Sequence, residues 1–85
     1  MKVKVLFFAA LRERLGTAGE EIELPAGVGT VAALRSHLRG RGGAWELALA
    51  ESKLVRMAVN QDMAQPADAI KAGDEIAFFP PVTGG

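Results

Sequence analysis

The sequence predicts an α+β domain: one mixed β-sheet with a single main helix across one face and a tail projecting from its carboxyl end. Three observations predict it. The two most apolar strand-like runs, residues 2–8 and 75–79, stand at opposite ends of the chain. Between them lies one long stretch with helical spacing, opened by Thr30. The last run then stops on Pro80-Pro81, which cannot donate to a sheet ladder and hold the backbone near polyproline geometry, so the chain must leave the body there.

Residues 2–8 alternate, with Val3, Val5 and Phe7 on one face and Lys2 and Lys4 on the other. Leu6 and Phe8 share the lysine face, where large apolar groups need a reason. The brief apolar run, its lysines and the Arg12-Glu13-Arg14 that follows favour a strand over a signal peptide. Residues 9–15 form a short helix, with Gly16 supplying the left-handed residue after it. Residues 20–24 alternate again, Ile22 and Leu24 inward, and Pro25-Ala26-Gly27 turns the chain. The first two strands are therefore an antiparallel pair.

Thr30 is a helix N-cap, and Val31, Leu34 and Leu38 follow at helical spacing. Gly40, Gly42 and Gly43 offer several stopping points, and Trp45 to Ala50 suits one or two helical turns, with Trp45 against the main helix. Residues 54–60 make a third strand with Val55, Met57 and Val59 inward, Asn60-Gln61-Asp62 is turn chemistry, and residues 63–65 form an edge strand that Pro66 stops. Ile70 is a lone apolar anchor in a polar loop. After Ala72-Gly73-Asp74, residues 75–79 form the last strand, with Ile76 and Phe78 inward and Glu75, Ala77 and Phe79 outward. The first and last strands, both strongly apolar and separated by a crossover helix, are expected to be parallel neighbours at the sheet centre. That is the β-grasp architecture, with a domain over residues 1–79 and a tail over residues 80–85.

At 85 residues the chain holds one modest core. Ten basic and ten acidic side chains give a formal net charge of +0, which argues against a nucleic-acid partner. No run is long enough to span a membrane, and a cytoplasmic protein is the expectation. The absence of cysteine removes disulfides, thiolate metal sites and a persulfide-bearing side chain, and one histidine, His37, excludes a histidine metal cluster. Ser36 and Ser52 have no base nearby in sequence and no nucleophile-elbow motif. No metal site and no bound cofactor are expected.

Two features remain. If the first and last strands are neighbours, Leu6, Phe8, Ala77 and Phe79 form an apolar patch on the face opposite the helix, and Met63 extends it. Cover by residues 9–15 or 66–70 is the competing arrangement. The patch leads into Pro80, Pro81, Val82, Thr83, Gly84 and Gly85. At about 7% glycine a terminal Gly-Gly arises by chance in roughly one chain in two hundred. Six residues extend to roughly 20 Å at about 3.3 Å each, and the two glycines carry no Cβ to obstruct a narrow channel. The carboxylate of Gly85, ionised at neutral pH, is a poor electrophile and must be activated; the expected form is an acyl adenylate made from ATP by a separate enzyme. No phosphate-binding glycine loop is present to do that here, so the chain is a substrate or carrier and not an enzyme by itself.

Lys4-Val5-Leu6-Phe7-Phe8-Ala9, Leu11-Arg12-Glu13, Ala58-Val59-Asn60-Gln61, Gly73-Asp74-Glu75-Ile76-Ala77-Phe78-Phe79 and the closing Pro80-Pro81-Val82-Thr83-Gly84-Gly85 resemble the small sulfur-carrier subunits of molybdopterin synthase, in the ubiquitin-like ThiS/MoaD family. The resemblance implies adenylation of Gly85, its conversion to a thiocarboxylate, and sulfur donation to cyclic pyranopterin monophosphate in molybdopterin synthesis. It implies insertion of the tail, Pro80 to Gly84, into the large synthase subunit, with Phe8, Met63 and Phe79 on the contact surface. It further implies a heterotetramer of two small and two large subunits, an activating enzyme and a sulfur donor. The alternatives are a carrier for thiamine, cysteine or transfer-RNA thiolation, a ubiquitin-like modifier of lysines, and an interaction domain whose tail is idle.

Overall fold

The computed structural model describes residues 1–81; Val82, Thr83, Gly84 and Gly85, the end of the predicted tail, lie outside the described residues. Five strands and three helices follow the order β1 (Lys2–Phe7), α1 (Ala9–Leu15), β2 (Gly19–Glu23), α2 (Val31–Arg39), α3 (Ala44–Ala48), β3 (Arg56–Val59), β4 (Asp62–Ala64) and β5 (Glu75–Phe79). The sheet order is β2-β1-β5-β3-β4. β1 and β5 are parallel neighbours, β5 occupies the centre, and β1–β2, β3–β5 and β3–β4 are antiparallel. The α+β, β-grasp expectation is met.

Local chemistry explains most boundaries. Thr30 caps α2, its Oγ1 accepting from the Ala33 amide at 3.1 Å. Gly16 takes φ 72° after α1, and its amide donates to the Arg12 carbonyl. Asn60 and Gln61 both have positive φ, as a two-residue hairpin between β3 and β4 requires. β1 ends at Phe7, one residue before the predicted end. Phe8 caps α1 instead, with an extended backbone whose amide donates to the Phe78 carbonyl, so it still follows the strand's alternation.

The third strand, expected over residues 54–60, is shorter at Arg56–Val59, with its start delayed by two residues. Arg35 on α2 is the cause: its Nε donates to the Leu49 carbonyl at 2.8 Å and its Nη2 to those of Ala50 and Lys53 at 2.6 and 3.0 Å. Those contacts divert the backbone before the ladder begins. The short edge strand, expected at residues 63–65, is Asp62–Ala64.

The core lies between the sheet and the helices. Val3, Val5, Phe7, Ile76 and Phe78 meet Leu34, Leu38 and Leu49 there, all essentially without exposure. Trp45, expected against the main helix, finds Phe7 of β1 edge-on at 5.4 Å between centroids. The Arg41 guanidinium lies 4.4 Å from the Trp45 ring centre and pairs with Glu20, which points to the helix side because it stands opposite Val5. The two segments that could have covered the outer face lie on the helix side instead. Leu11 of α1 joins the core, the carbonyls of Pro66 and Asp68 accept from Ala32 and Val31 of α2, and Ile70 is buried.

Candidate functional site

The registers place the predicted interface residues on one face. Opposite pairs run Gly19–Leu6, Leu6–Ala77, Ala77–Ala58 and Ala58–Met63, so one row crosses all five strands on the side away from the helices. The next row toward the carboxyl ends of β1 and β5 holds Phe8, Phe79 and, opposite Phe79, Arg56. Phe8 is 47% exposed and Met63 61%, while Leu6, Ala77 and Phe79 are half-buried. The structure thus brings together Leu6, Phe8, Met63, Ala77 and Phe79.

Two members of the face escaped the sequence. Ala58 sits buried between Ala77 and Met63, giving the row a floor without height. Its parity was available, since Met57 and Val59 point inward. Gly19 closes the other end of the row. A Cβ there would stand 2.5 Å from the Val5 carbonyl oxygen and 2.9 Å from Leu6 Cδ2, so only glycine lets β2 approach and lets Leu6 lie flat over it.

The same face changes character away from the tail. Lys4 stands between Glu21 and Glu75, and Lys2 opposes Glu23, a set of opposite-charge cross-strand neighbours. The apolar rows therefore end in a charged half-sheet that water already satisfies. The apolar half is the one bordering Pro80 and Pro81, both half-buried, at the start of the tail. A partner that buries this half meets the tail's root in the same contact.

β5 enters the face through a polar latch at its far end. Asp74, 8% exposed, accepts from Asn60 Nδ2 at 2.9 Å and from the Lys71 amide at 2.8 Å; Asn60 Oδ1 accepts from the Glu75 amide at 3.0 Å. The Asn60 hydrogen bond, then the Lys71 amide and charge, hold the Asp74 carboxyl below its ordinary pKa against the opposing cost of burial. The Asp74 carbonyl accepts from Lys4, tying the latch to β1.

The remaining candidates are placed plainly. His37 is exposed in the last turn of α2. Among the described residues no group of three or more His, Asp or Glu side chains is arranged to hold a metal, and no helix is long and apolar enough to cross a membrane. The Gly40–Gly43 stretch carries Arg41 to its pairing with Glu20 and Trp45, a structural use. The site is an apolar half-face beside Pro80 and Pro81.

Comparison with known proteins bears out the resemblance seen in the sequence. The ThiS family matches residues 5–85. The molybdopterin synthase sulfur carrier subunits of Haemophilus influenzae and Escherichia coli are each 48% identical over 83 residues, covering 98% of this chain and 99% of theirs. Among solved structures, SAMP1 from Haloferax volcanii superposes with a TM-score of 0.76 at 28% identity, with both chains fully covered. The chain belongs to the ThiS family.

Proposed function

We propose that this protein is the sulfur carrier of a molybdopterin synthase, delivering sulfur from a thiocarboxylate on Gly85. The observation that carries the proposal is the uncovered apolar half-face of Leu6, Phe8, Ala77, Phe79 and Met63, which borders the root of the Pro-Pro-Val-Thr-Gly-Gly tail. Whole-length similarity to two proteins named as sulfur carrier subunits of that synthase supports it.

The chemistry follows from a carboxylate with no catalytic side chain to help it. A separate activating enzyme directs the Gly85 carboxylate oxygen onto the α-phosphorus of ATP; pyrophosphate leaves and an acyl adenylate remains. A sulfur nucleophile at the sulfide level adds to the acyl carbon and expels AMP, leaving a thiocarboxylate. The large synthase subunit docks on the apolar half-face and receives Pro80 to Gly84 in its active site; there the thiocarboxylate sulfur bonds to a carbon of cyclic pyranopterin monophosphate in place of an oxygen substituent, and water then cleaves the acyl–sulfur bond, releasing Gly85 as a carboxylate. A dithiolene holds two sulfurs, so two carriers are consumed per pterin, which suits an assembly of two small and two large subunits. The carrier binds no cofactor of its own, and both its loading and unloading belong to the cytoplasm.

Incubation with the activating enzyme, ATP and a sulfide donor tests this directly. Mass spectrometry should show one oxygen replaced by sulfur, and the loaded protein should convert the pterin in the presence of the large subunit. Removal of Gly85 should abolish loading while leaving the thermal midpoint unchanged. An unmodified mass in the full chain overturns the carrier role. Likeness to a chain named small archaeal modifier protein 1 favours one second outcome, attachment of Gly85 to a lysine through an isopeptide bond, which the same activated state could form and which would appear as a higher-mass conjugate.

A further inference from the structure

Beside the apolar half-face a cleft of about 390 Å³ opens between the segment entering β3 and the β4 edge. Leu54, Val55, Met63 and Pro66 line it with apolar surface, Pro81 reaches it, and two guanidinium groups border it, Arg56 and the Arg35 that is already committed to backbone carbonyls. Met63 belongs both to this cleft and to the outer row of the sheet, so the two surfaces are continuous.

Three properties distinguish the cleft from an incidental groove. Leu54 is 81% exposed, the most exposed of the large apolar side chains among the described residues. The backbone that carries it is held, because Arg35 donates to the carbonyls of Leu49, Ala50 and Lys53. A leucine exposed on a pinned backbone costs little further ordering when it is covered. Arg56 stands across the ladder from Phe79 and, among the described residues, has no carboxylate within ion-pair reach.

We propose that the chain which receives the tail also fills this cleft, with an apolar side chain against Leu54 and Met63 flanked by a carboxylate that pairs with Arg56. The inference rests on the carrier function above and extends its contact surface around the β4 edge, off the sheet face. It assigns Leu54 and Arg56 to recognition, leaving Phe8 and Phe79 as the centre of the contact.

The test compares two exposed leucines. Leu47 on α3 is 71% exposed and lies outside the cleft, so Leu47→Glu controls for a charge on an exposed leucine. Binding of the full chain to the large synthase subunit is measured by calorimetry for wild type, Leu54→Glu, Leu47→Glu and Arg56→Gln, with thermal midpoints recorded for each. Leu54→Glu should weaken binding about tenfold or more and Leu47→Glu by less than about twofold. Arg56→Gln should weaken binding by about threefold to tenfold and flatten its dependence on salt, the signature of a lost ion pair. Equal affinities for wild type and Leu54→Glu overturn the proposal while leaving the carrier function standing. If instead wild type neither binds the large subunit nor accepts sulfur, the function itself has failed. A wild-type dimer that Leu54→Glu dissociates would place a second copy in the cleft and also overturn the proposal.

Discussion

Replacing Asp74 by asparagine isolates the latch that seats β5. The change keeps shape and nearly keeps volume, yet the amide presents one acceptor where the carboxylate presents two. Asn60 Nδ2 and the Lys71 amide, 2.9 and 2.8 Å from separate carboxylate oxygens, then compete, and one meets an NH₂ group. A hydrogen bond to a charged group is worth about 1.5–3 kcal/mol, and one of two is lost, so urea unfolding at pH 7 should show a loss of about 2 kcal/mol. For a domain of this length that is about 8–16 °C in midpoint. The sign with pH follows from the lowered Asp74 pKa. A carboxyl whose pKa is lower folded than unfolded stabilises fully above its unfolded value, about 3.9, and loses that contribution as pH falls through the folded value. The gap between wild type and Asp74→Asn should therefore stay constant from about pH 7 to 5 and narrow below about pH 4. Because the latch sits at the end of β5 away from the tail, binding of the large subunit at pH 7 should not change. A gap as wide at pH 3 as at pH 7, or one under about 0.5 kcal/mol at pH 7, refutes the assignment.

Phe79→Asp should lower affinity for the large subunit by about a hundredfold, measured by calorimetry, and stability by under about 1.5 kcal/mol, since the ring is only half-buried. The reverse ratio would make Phe79 a core residue. Gly19→Ala should cost about 1–3 kcal/mol in urea unfolding, because its methyl meets the Val5 carbonyl at 2.5 Å and backbone cannot yield cheaply. Thr30→Ala should cost about 1 kcal/mol by the same assay, through loss of the cap on Ala33.

Much of the frame is legible from local chemistry. Lysines at positions 2 and 4 fix which face of β1 meets water, and the same parity carries Leu6 and Phe8 outward even though Phe8 has left the strand for a helix cap. Thr30 and Gly16 announce their helix ends because each acts on backbone within a few residues. What stays hidden depends on side chains reaching far along the chain. The run from Leu54 reads as strand, but Arg35 takes carbonyls fourteen to eighteen residues away and delays the ladder to Arg56. Glu20 looks like one more solvent-facing acid until Arg41, twenty-one residues on, meets it beside Trp45. Asn60 and Asp74 each suggest a turn, and nothing local says that the two turns hold each other. At the candidate site, alternation sufficed for the patch, whereas the cleft at Leu54 needed the tertiary path of the backbone.

The central position of β5 has a mechanical consequence. The strand is bonded to β1 on one side and β3 on the other, and the chain leaves it along the strand direction through Pro80 and Pro81. A pull applied beyond Pro81 loads both ladders in shear, so their hydrogen bonds share the force and must fail together. An edge strand would peel, one bond at a time. A load on β5 is thus carried by the whole sheet at once.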